Sequence, residues 1–102
     1  MRKVLLSLSI LILTITVRWQ AVTTYTTGQS IASTTQVHYL VWRATKPNLN
    51  DAIKIVDTTA LSYADTNISG SQSFYYYFVQ AYVVNSNMPW ISVNSNVVKI
   101  KP

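Results

Sequence analysis

Few side chains in this sequence are suited to catalysis. The chain has one histidine, His38, and three aspartates, but neither cysteine nor glutamate. Acid–base catalysis by paired carboxylates needs two of them in one pocket. Asp51, Asp57 and Asp65 instead lie in segments whose composition is typical of turns, where aspartate favours local backbone hydrogen bonds. The serines are not part of a nucleophile-elbow motif. We therefore predict that the protein is not an enzyme.

Metal, cofactor and nucleic-acid sites also lack their usual sequence signals. The segment Asn48-Leu49-Asn50-Asp51 has no regular acidic spacing of the kind that a calcium loop needs. The two glycines, Gly28 and Gly70, do not form a phosphate-binding loop. The eight basic residues, against three aspartates, give a net charge of +5. They are scattered along the chain, so no run of them resembles a nucleic-acid patch. We predict no metal, no cofactor and no nucleic-acid partner.

The element on which the other predictions depend is residues 74–82, a run of nine residues of which six are aromatic. Aromatic and β-branched side chains suit a pleated sheet, so we predict a central β-strand here. Successive side chains of a strand point to opposite faces. One face, with Tyr75, Tyr77, Val79 and Ala81, is predicted to belong to the core.

The other face of this strand is too aromatic for an ordinary solvated surface. Neighbouring strands lie about 4.8 Å apart. The outward residues of the strand predicted over 37–43 would therefore lie beside this aromatic face and form one patch with it. We predict that this patch binds a partner, because large apolar patches mark interaction surfaces. Alternatively, the final strand, the long loop or the N-terminal arm covers it. The predicted partner-binding residues are Leu40, Trp42, Tyr76, Phe78 and Tyr82 in the patch and Met88 and Trp90 in a loop.

The N-terminal residues have two interpretations. A basic start at residues 1–3 and an apolar run at residues 4–13 resemble a signal peptide, and the run is too short for a stable membrane span. However, no small-x-small cleavage site follows. Residues 13–19 instead alternate apolar and polar side chains, which is typical of a half-buried strand. Residues 1–12 are therefore either a first strand or a signal-like segment.

The rest of the chain predicts a single all-β domain over residues 1–102. Residues 37–43 are apolar on both faces, which is typical of a central strand. Other short strand-like segments, among them residues 52–56, alternate with turns rich in Asn, Asp, Gly, Ser and Pro, and no segment has a helical period. About seven such strands predict an antiparallel, immunoglobulin-like β-sandwich.

In order and spacing, several segments resemble a fibronectin type III domain of the kind found in bacterial extracellular enzymes and phage virion proteins. The resemblance covers about residues 13 to 101. Trp19 is similar to the core tryptophan of the family's second strand, and Tyr75 stands at the tyrosine-corner position of its sixth. The other similar segments are Tyr39-Leu40-Val41-Trp42-Arg43-Ala44-Thr45 (third-strand pattern Tyr-x-Val-Tyr-Arg-x-Thr), Tyr63-Ala64-Asp65-Thr66-Asn67-Ile68 (Tyr-x-Asp-x-x-Leu) and Ser95-Asn96-Val97-Val98 (Ser-Asn-x-Val).

The chain departs from the family at its first strand. About a dozen residues precede the Trp19 strand, so the first strand is truncated or is supplied by residues 2–9. A missing first strand would leave a sheet edge open to a strand from a partner.

We expect a structural module that packs through its aromatic face against other protein subunits in a larger assembly, such as a phage capsid or tail. The alternative is a secreted or cell-surface adhesion or carbohydrate-binding module, since sugars stack on exposed rings. The expected location is accordingly a virion, or the outside of a cell.

Overall fold

The structure is a computed structural model that describes residues 13–83 and 97–102. This part of the chain is all-β, and the predicted antiparallel sandwich is confirmed. It contains six of the roughly seven expected strands. Residues 1–12, for which a first strand or a signal-like segment was expected, lie outside the described residues. The strands are β1 (Ile15–Arg18), β2 (Val37–Ala44), β3 (Ile53–Thr58), β4 (Ser62–Asp65), β5 (Tyr75–Val83) and β6 (Val98–Ile100), with a 3-10 turn at Leu49–Asp51.

The strands form two antiparallel sheets. One sheet pairs β1 with β4, and the other has the order β3-β2-β5-β6. The aromatic strand β5 lies in the interior of the larger sheet, as predicted, and pairs with all of β2, from Val37 opposite Val83 to Ala44 opposite Tyr76. Directly opposite residues of paired strands share a face. The register therefore determines which side chains of β2 and β5 lie together.

The core lies between the two sheets. In β1, Ile15 and Val17 are buried while Thr16 and Arg18 are exposed, so this strand keeps the alternation seen in its sequence. All four β5 residues that were predicted to point inward belong to the core. Burial of apolar surface, at about 25 cal/mol per Å², is the main favourable contribution here. The core residues are Ile15, Val17, Tyr39, Val41, Tyr75, Tyr77, Val79, Ala81 and Val83.

Tyr75 fixes the connection between β4 and β5. Its hydroxyl oxygen accepts a 2.7 Å hydrogen bond from the backbone N–H of Ser69, six residues earlier. A tyrosine bound in this way to upstream backbone is the tyrosine corner of immunoglobulin-like sandwiches. In the same connection, a Cβ on Gly70 would lie 2.9 Å from Cδ1 of Leu13. Leu13 therefore packs against this corner as part of the folded domain.

The polar segment between β1 and β2 folds back on itself. Thr24 and Ser30 form an antiparallel bridge, and the N–H of Tyr25 donates a 2.8 Å hydrogen bond to the carbonyl of Gln29. Gly28 lies at the tip with φ of +89°, in the left-handed region that glycine adopts readily. The segment is thus a hairpin-like loop with a defined backbone.

Candidate interaction surface

The side of the larger sheet that faces away from the core collects most of the residues predicted to bind a partner. The register places His38 opposite Tyr82, and Trp42 opposite Phe78. Leu40 and Tyr76 point to the same side, because they are separated from these residues by even numbers of positions. We call this side the outer face. It consists of His38, Leu40, Trp42, Lys54, Asp57, Tyr76, Phe78, Gln80, Tyr82 and Lys99.

Trp42 and Phe78 form the aromatic centre of the outer face. Their rings are stacked, with centroids 5.8 Å apart and an interplanar angle of 1°. The indole Nε1–H of Trp42 also donates a 2.9 Å hydrogen bond to Oε1 of Gln80. The stack and the hydrogen bond fix the indole at both its face and its edge. The ring is therefore held in one orientation.

Tyr82, His38 and Asp57 form a second cluster on the outer face. The imidazole of His38 stacks on the Tyr82 ring with centroids 5.0 Å apart. The Tyr82 hydroxyl donates a short hydrogen bond to Oδ2 of Asp57, and Oδ1 of the same carboxylate lies 3.7 Å from Nδ1 of His38. The hydrogen bond to Asp57 raises the pKa of Tyr82, because ionisation would remove the shared proton and place two anions together. This cluster joins all three of the strands β2, β3 and β5.

The predicted residues differ in their burial. Leu40 and Phe78 are buried, with 7% and 6% of their surfaces exposed, whereas Trp42, Tyr76 and Tyr82 are only half-buried. Leu40 lies on β2, an interior strand of the sheet. Asp57 on β3 lies opposite it on one side and Gln80 on β5 on the other, so residues of both adjacent strands flank Leu40. The accessible aromatic surface therefore belongs to the three half-buried rings.

Two lysines lie at opposite edges of the outer face. Lys54 on β3 pairs with Trp42, and Lys99 on β6 pairs with Tyr76. The ammonium group of Lys99 lies 4.0 Å from the ring centroid of Phe74, within the range of a cation–π contact. The only carboxylate on the described part of this face is that of Asp57, which is engaged by Tyr82. The rim of the face is therefore basic.

The second predicted contact point lies outside the described residues. Met88 and Trp90 belong to the segment 84–96, between the end of β5 and Val97. Their prediction as partner-binding residues stays a prediction.

A buried polar cluster, which the sequence did not predict, joins the two sheets. Nη1 of Arg43 on β2 donates hydrogen bonds of 3.0 and 2.8 Å to the two carboxylate oxygens of Asp65 on β4. The hydroxyl of Tyr77 on β5 donates a 2.7 Å hydrogen bond to Oδ2, and the N–H of Asn67 donates a 3.2 Å bond to Oδ1. Asp65 is only 2% exposed. Three polar groups thus make four hydrogen bonds to one carboxylate inside the sandwich.

This environment changes the titration of Tyr77. Burial, together with the hydrogen bond to Asp65, raises its pKa well above the ordinary value of a tyrosine. The sequence had suggested only local backbone hydrogen bonds for Asp65. The bond from Asn67 is of that kind, whereas the pairing with Arg43 spans 22 residues. Arg43 and Asp65 both stand in the segments that resemble fibronectin type III patterns, which was the one available signal.

The described residues contain no group of three or more His, Cys, Asp and Glu side chains that could hold a metal ion. Within residues 13–83 and 97–102, no helix is long and apolar enough to cross a membrane.

Comparison of the chain with models of known protein families, with characterised proteins and with solved structures finds no match.

Proposed function

We propose that the chain is a non-enzymatic interaction module, similar to a fibronectin type III domain, that binds other protein subunits through its outer face. The observation that carries this proposal is the ordered set of half-buried rings, Trp42, Tyr76 and Tyr82, on the side of the sheet away from the core. Trp and Tyr are frequent anchors of interfaces, since they combine a large apolar area with a polar group. Trp42 and Tyr82 are already fixed by stacking and hydrogen bonds. Binding would therefore immobilise few additional side chains and lose little conformational entropy.

The strand pairing supports the family part of the proposal. In immunoglobulin-like sandwiches the second and fifth strands share one sheet, and the third, sixth and seventh share the other. The resemblance puts Trp19 at the end of the second strand, and Trp19 directly follows β1. On that basis β1 and β4 correspond to the second and fifth strands, and β2, β5 and β6 to the third, sixth and seventh. The hydrogen bond of Tyr75 to Ser69 adds a second feature of this group of folds.

The charges of the outer face define the chemistry of the partner. Trp42 and Tyr76 offer apolar contact area, and Lys54 and Lys99 lie beside them on the two flanking strands. The chain as a whole carries a net charge of +5. A complementary surface has an apolar centre with acidic residues at its rim, because opposite potentials steer association and reject like-charged partners. Since the resembling domains occur in phage virion proteins, we propose a capsid or tail as the assembly.

Hydroxyl-radical footprinting tests this proposal without knowledge of the partner. The protein is recovered from its native source under non-denaturing conditions, and oxidation of its rings is compared with that of the isolated chain. We expect Trp42, Tyr76 and Tyr82 to react more slowly in the native assembly. Tyr25, a half-buried ring in the β1–β2 loop, is the matched control and should react equally in both samples. Recovery of the protein as a monomer, or equal protection of all four rings, would contradict the proposal.

Substitutions separate the roles of the rings and of the charges. Tyr76→Ser and Lys99→Glu should each release the chain from the assembly, since one removes apolar area and the other reverses the rim charge. Ile53→Ser is the matched control: Ile53 is 54% exposed and pairs with Arg43, so it lies on the opposite side of the sheet. The proposal fails if Ile53→Ser releases the chain as strongly as Tyr76→Ser does.

A further inference from the structure

A groove of about 400 Å³ lies between the β1–β2 loop and the connection from β3 to β4. Sites for small ligands typically measure about 300–1,000 Å³, so the groove has room for a molecule of a few hundred daltons. We infer that it binds an uncharged saccharide. The residues that line it are Ala21, Val22, Thr23, Ile31, Ala32, Ser33, Thr35, Gln36, Val37, Tyr39, Thr59 and Leu61.

The lining carries no charge. Tyr39 is the one ionisable residue among those that line the groove, and its hydroxyl accepts a 3.0 Å hydrogen bond from the N–H of Val22. An ionic ligand would lose hydration on entering without gaining an ion pair, which is costly. The groove therefore favours a neutral ligand.

The polar part of the lining matches the hydroxyl groups of a sugar. Besides Tyr39, five of the lining residues carry a side-chain hydroxyl or amide group, and each of these groups can both donate and accept a hydrogen bond. Sugar hydroxyls have the same dual capacity, so each can pair in either direction. The five residues are Thr23, Ser33, Thr35, Gln36 and Thr59.

Apolar side chains provide the complementary surface for the C–H groups of a sugar ring. Leu61 is 44% exposed although it is a large aliphatic residue, and Ile31 and Val37 also line the groove. The carbonyl of Leu61 accepts a 3.1 Å hydrogen bond from the N–H of Trp19. This bond holds the Leu61 side of the groove against the chain that leaves β1.

The opposite wall is held by hydrogen bonds as well. Val22 is tied to Tyr39 on β2, and the N–H of Ile31 donates a 2.8 Å hydrogen bond to the carbonyl of Thr23. Hydrogen bonds within the chain therefore hold both strands of the loop. A preformed site loses less conformational entropy on binding, which favours affinity for a small molecule.

The groove and the outer face do not share a residue. Val37 and Tyr39 contact the groove, whereas the next residues on the other side of β2, His38 and Leu40, belong to the outer face. Saccharide binding is therefore independent of the subunit contact proposed above. Either proposal can fail while the other holds.

The test is an NMR titration of the full, isotope-labelled chain with four uncharged disaccharides: cellobiose, maltose, lactose and N,N′-diacetylchitobiose. With at least one of them we expect amide shifts confined to residues 21–37 and 59–61, with a dissociation constant of about 1 mM or lower. The inference is overturned if none of the four sugars moves these amides. It is also overturned if only a neutral peptide, acetyl-Gly-Ser-Thr-Gly-amide, moves them.

Matched threonine variants locate the contact. Thr35→Val and Thr59→Val keep the shape of the side chain but remove its hydroxyl, and at least one should weaken binding about tenfold, as the loss of a hydrogen bond does. Thr66→Val is the control, since Thr66 is exposed beyond the far end of β4. Unchanged affinity in both groove variants, each shown by its NMR spectrum to be folded, would contradict the assignment.

Discussion

The hydroxyl of Tyr77 donates a 2.7 Å hydrogen bond to Oδ2 of Asp65, across the interior of the sandwich. The same carboxylate oxygen lies 2.8 Å from Nη1 of Arg43. Tyr77 and Arg43 are directly opposite each other on β5 and β2 of the larger sheet, and Asp65 ends β4 of the smaller one. One carboxylate therefore links the two sheets, and its partners leave little of its charge uncompensated.

Removal of the Asp65 carboxylate should be strongly destabilising. Asp65→Ala leaves the guanidinium of Arg43, whose side chain is 11% exposed, without its buried partner. Breaking a buried ion pair in this way costs about 3–5 kcal/mol. Urea unfolding measures the change in the free energy of unfolding. Asp51→Ala, at an exposed position, should change it by less than about 0.5 kcal/mol.

Replacing both charges should cost less than replacing one. In Arg43→Met with Asp65→Leu no unpaired buried charge remains, and apolar replacements of buried ion pairs are often neutral. We expect the double variant to be more stable than Asp65→Ala by at least about 1 kcal/mol, measured by the same unfolding experiment. If the double variant loses as much free energy of unfolding as its two single variants lose together, the pair is not coupled.

The raised pKa of Tyr77 predicts a loss of stability in alkali. The native state holds the Tyr77 proton more tightly than the unfolded chain, in which tyrosine titrates near pH 10. The corresponding stabilisation is complete below pH 10 and declines as the pH rises above it. Stability measured against pH should fall more steeply above pH 10 in the wild type than in Tyr77→Phe. Identical alkaline slopes would contradict this prediction. Tyr82→Phe is the comparison for the half-buried tyrosine bound to Asp57.

Two neighbouring aromatic residues of the outer face should differ in their contribution to stability. Phe78 is 6% exposed and stacks on Trp42, so Phe78→Ala should cost about 3–5 kcal/mol. Tyr76→Ala, at a half-buried position, should cost clearly less. Thermal unfolding of the two variants at one pH measures the difference. Equal losses would mean that Tyr76 is a core residue rather than an accessible one.

Gly28 provides a test of the loop conformation. Its φ of +89° is strained for residues with a Cβ, although no atom lies within 4 Å of the place where a Cβ would be. Gly28→Ala should therefore destabilise through the backbone alone, by about 1–2 kcal/mol. Gly28→Asn should cost less, since asparagine tolerates this region better. A larger loss for asparagine than for alanine would contradict the assigned cause.

Local pattern was sufficient for the strands and for their faces. The alternation of β5 separated Tyr75, Tyr77, Val79 and Ala81 from the outer residues, and the structure confirms all four as core. The prediction of the core-facing residues succeeds because side-chain direction in a strand has a period of two, whichever strand it pairs with. The predicted ends of the short strands were less accurate: β3 was expected over residues 52–56 and spans Ile53–Thr58. The reason is that pairing with β2 decides where this short strand ends.

The sequence by itself determined the all-β class, the central position of β5 and the side on which its rings lie, because these depend on residue type and on a period that is local to each strand. Only the tertiary structure brought Asp65 to Arg43 and Tyr77, stacked Trp42 on Phe78, buried Leu40 and closed a groove between two distant loops. Such contacts depend on which strands pair and in which register, and residues far apart in the chain carry no local signal of that choice.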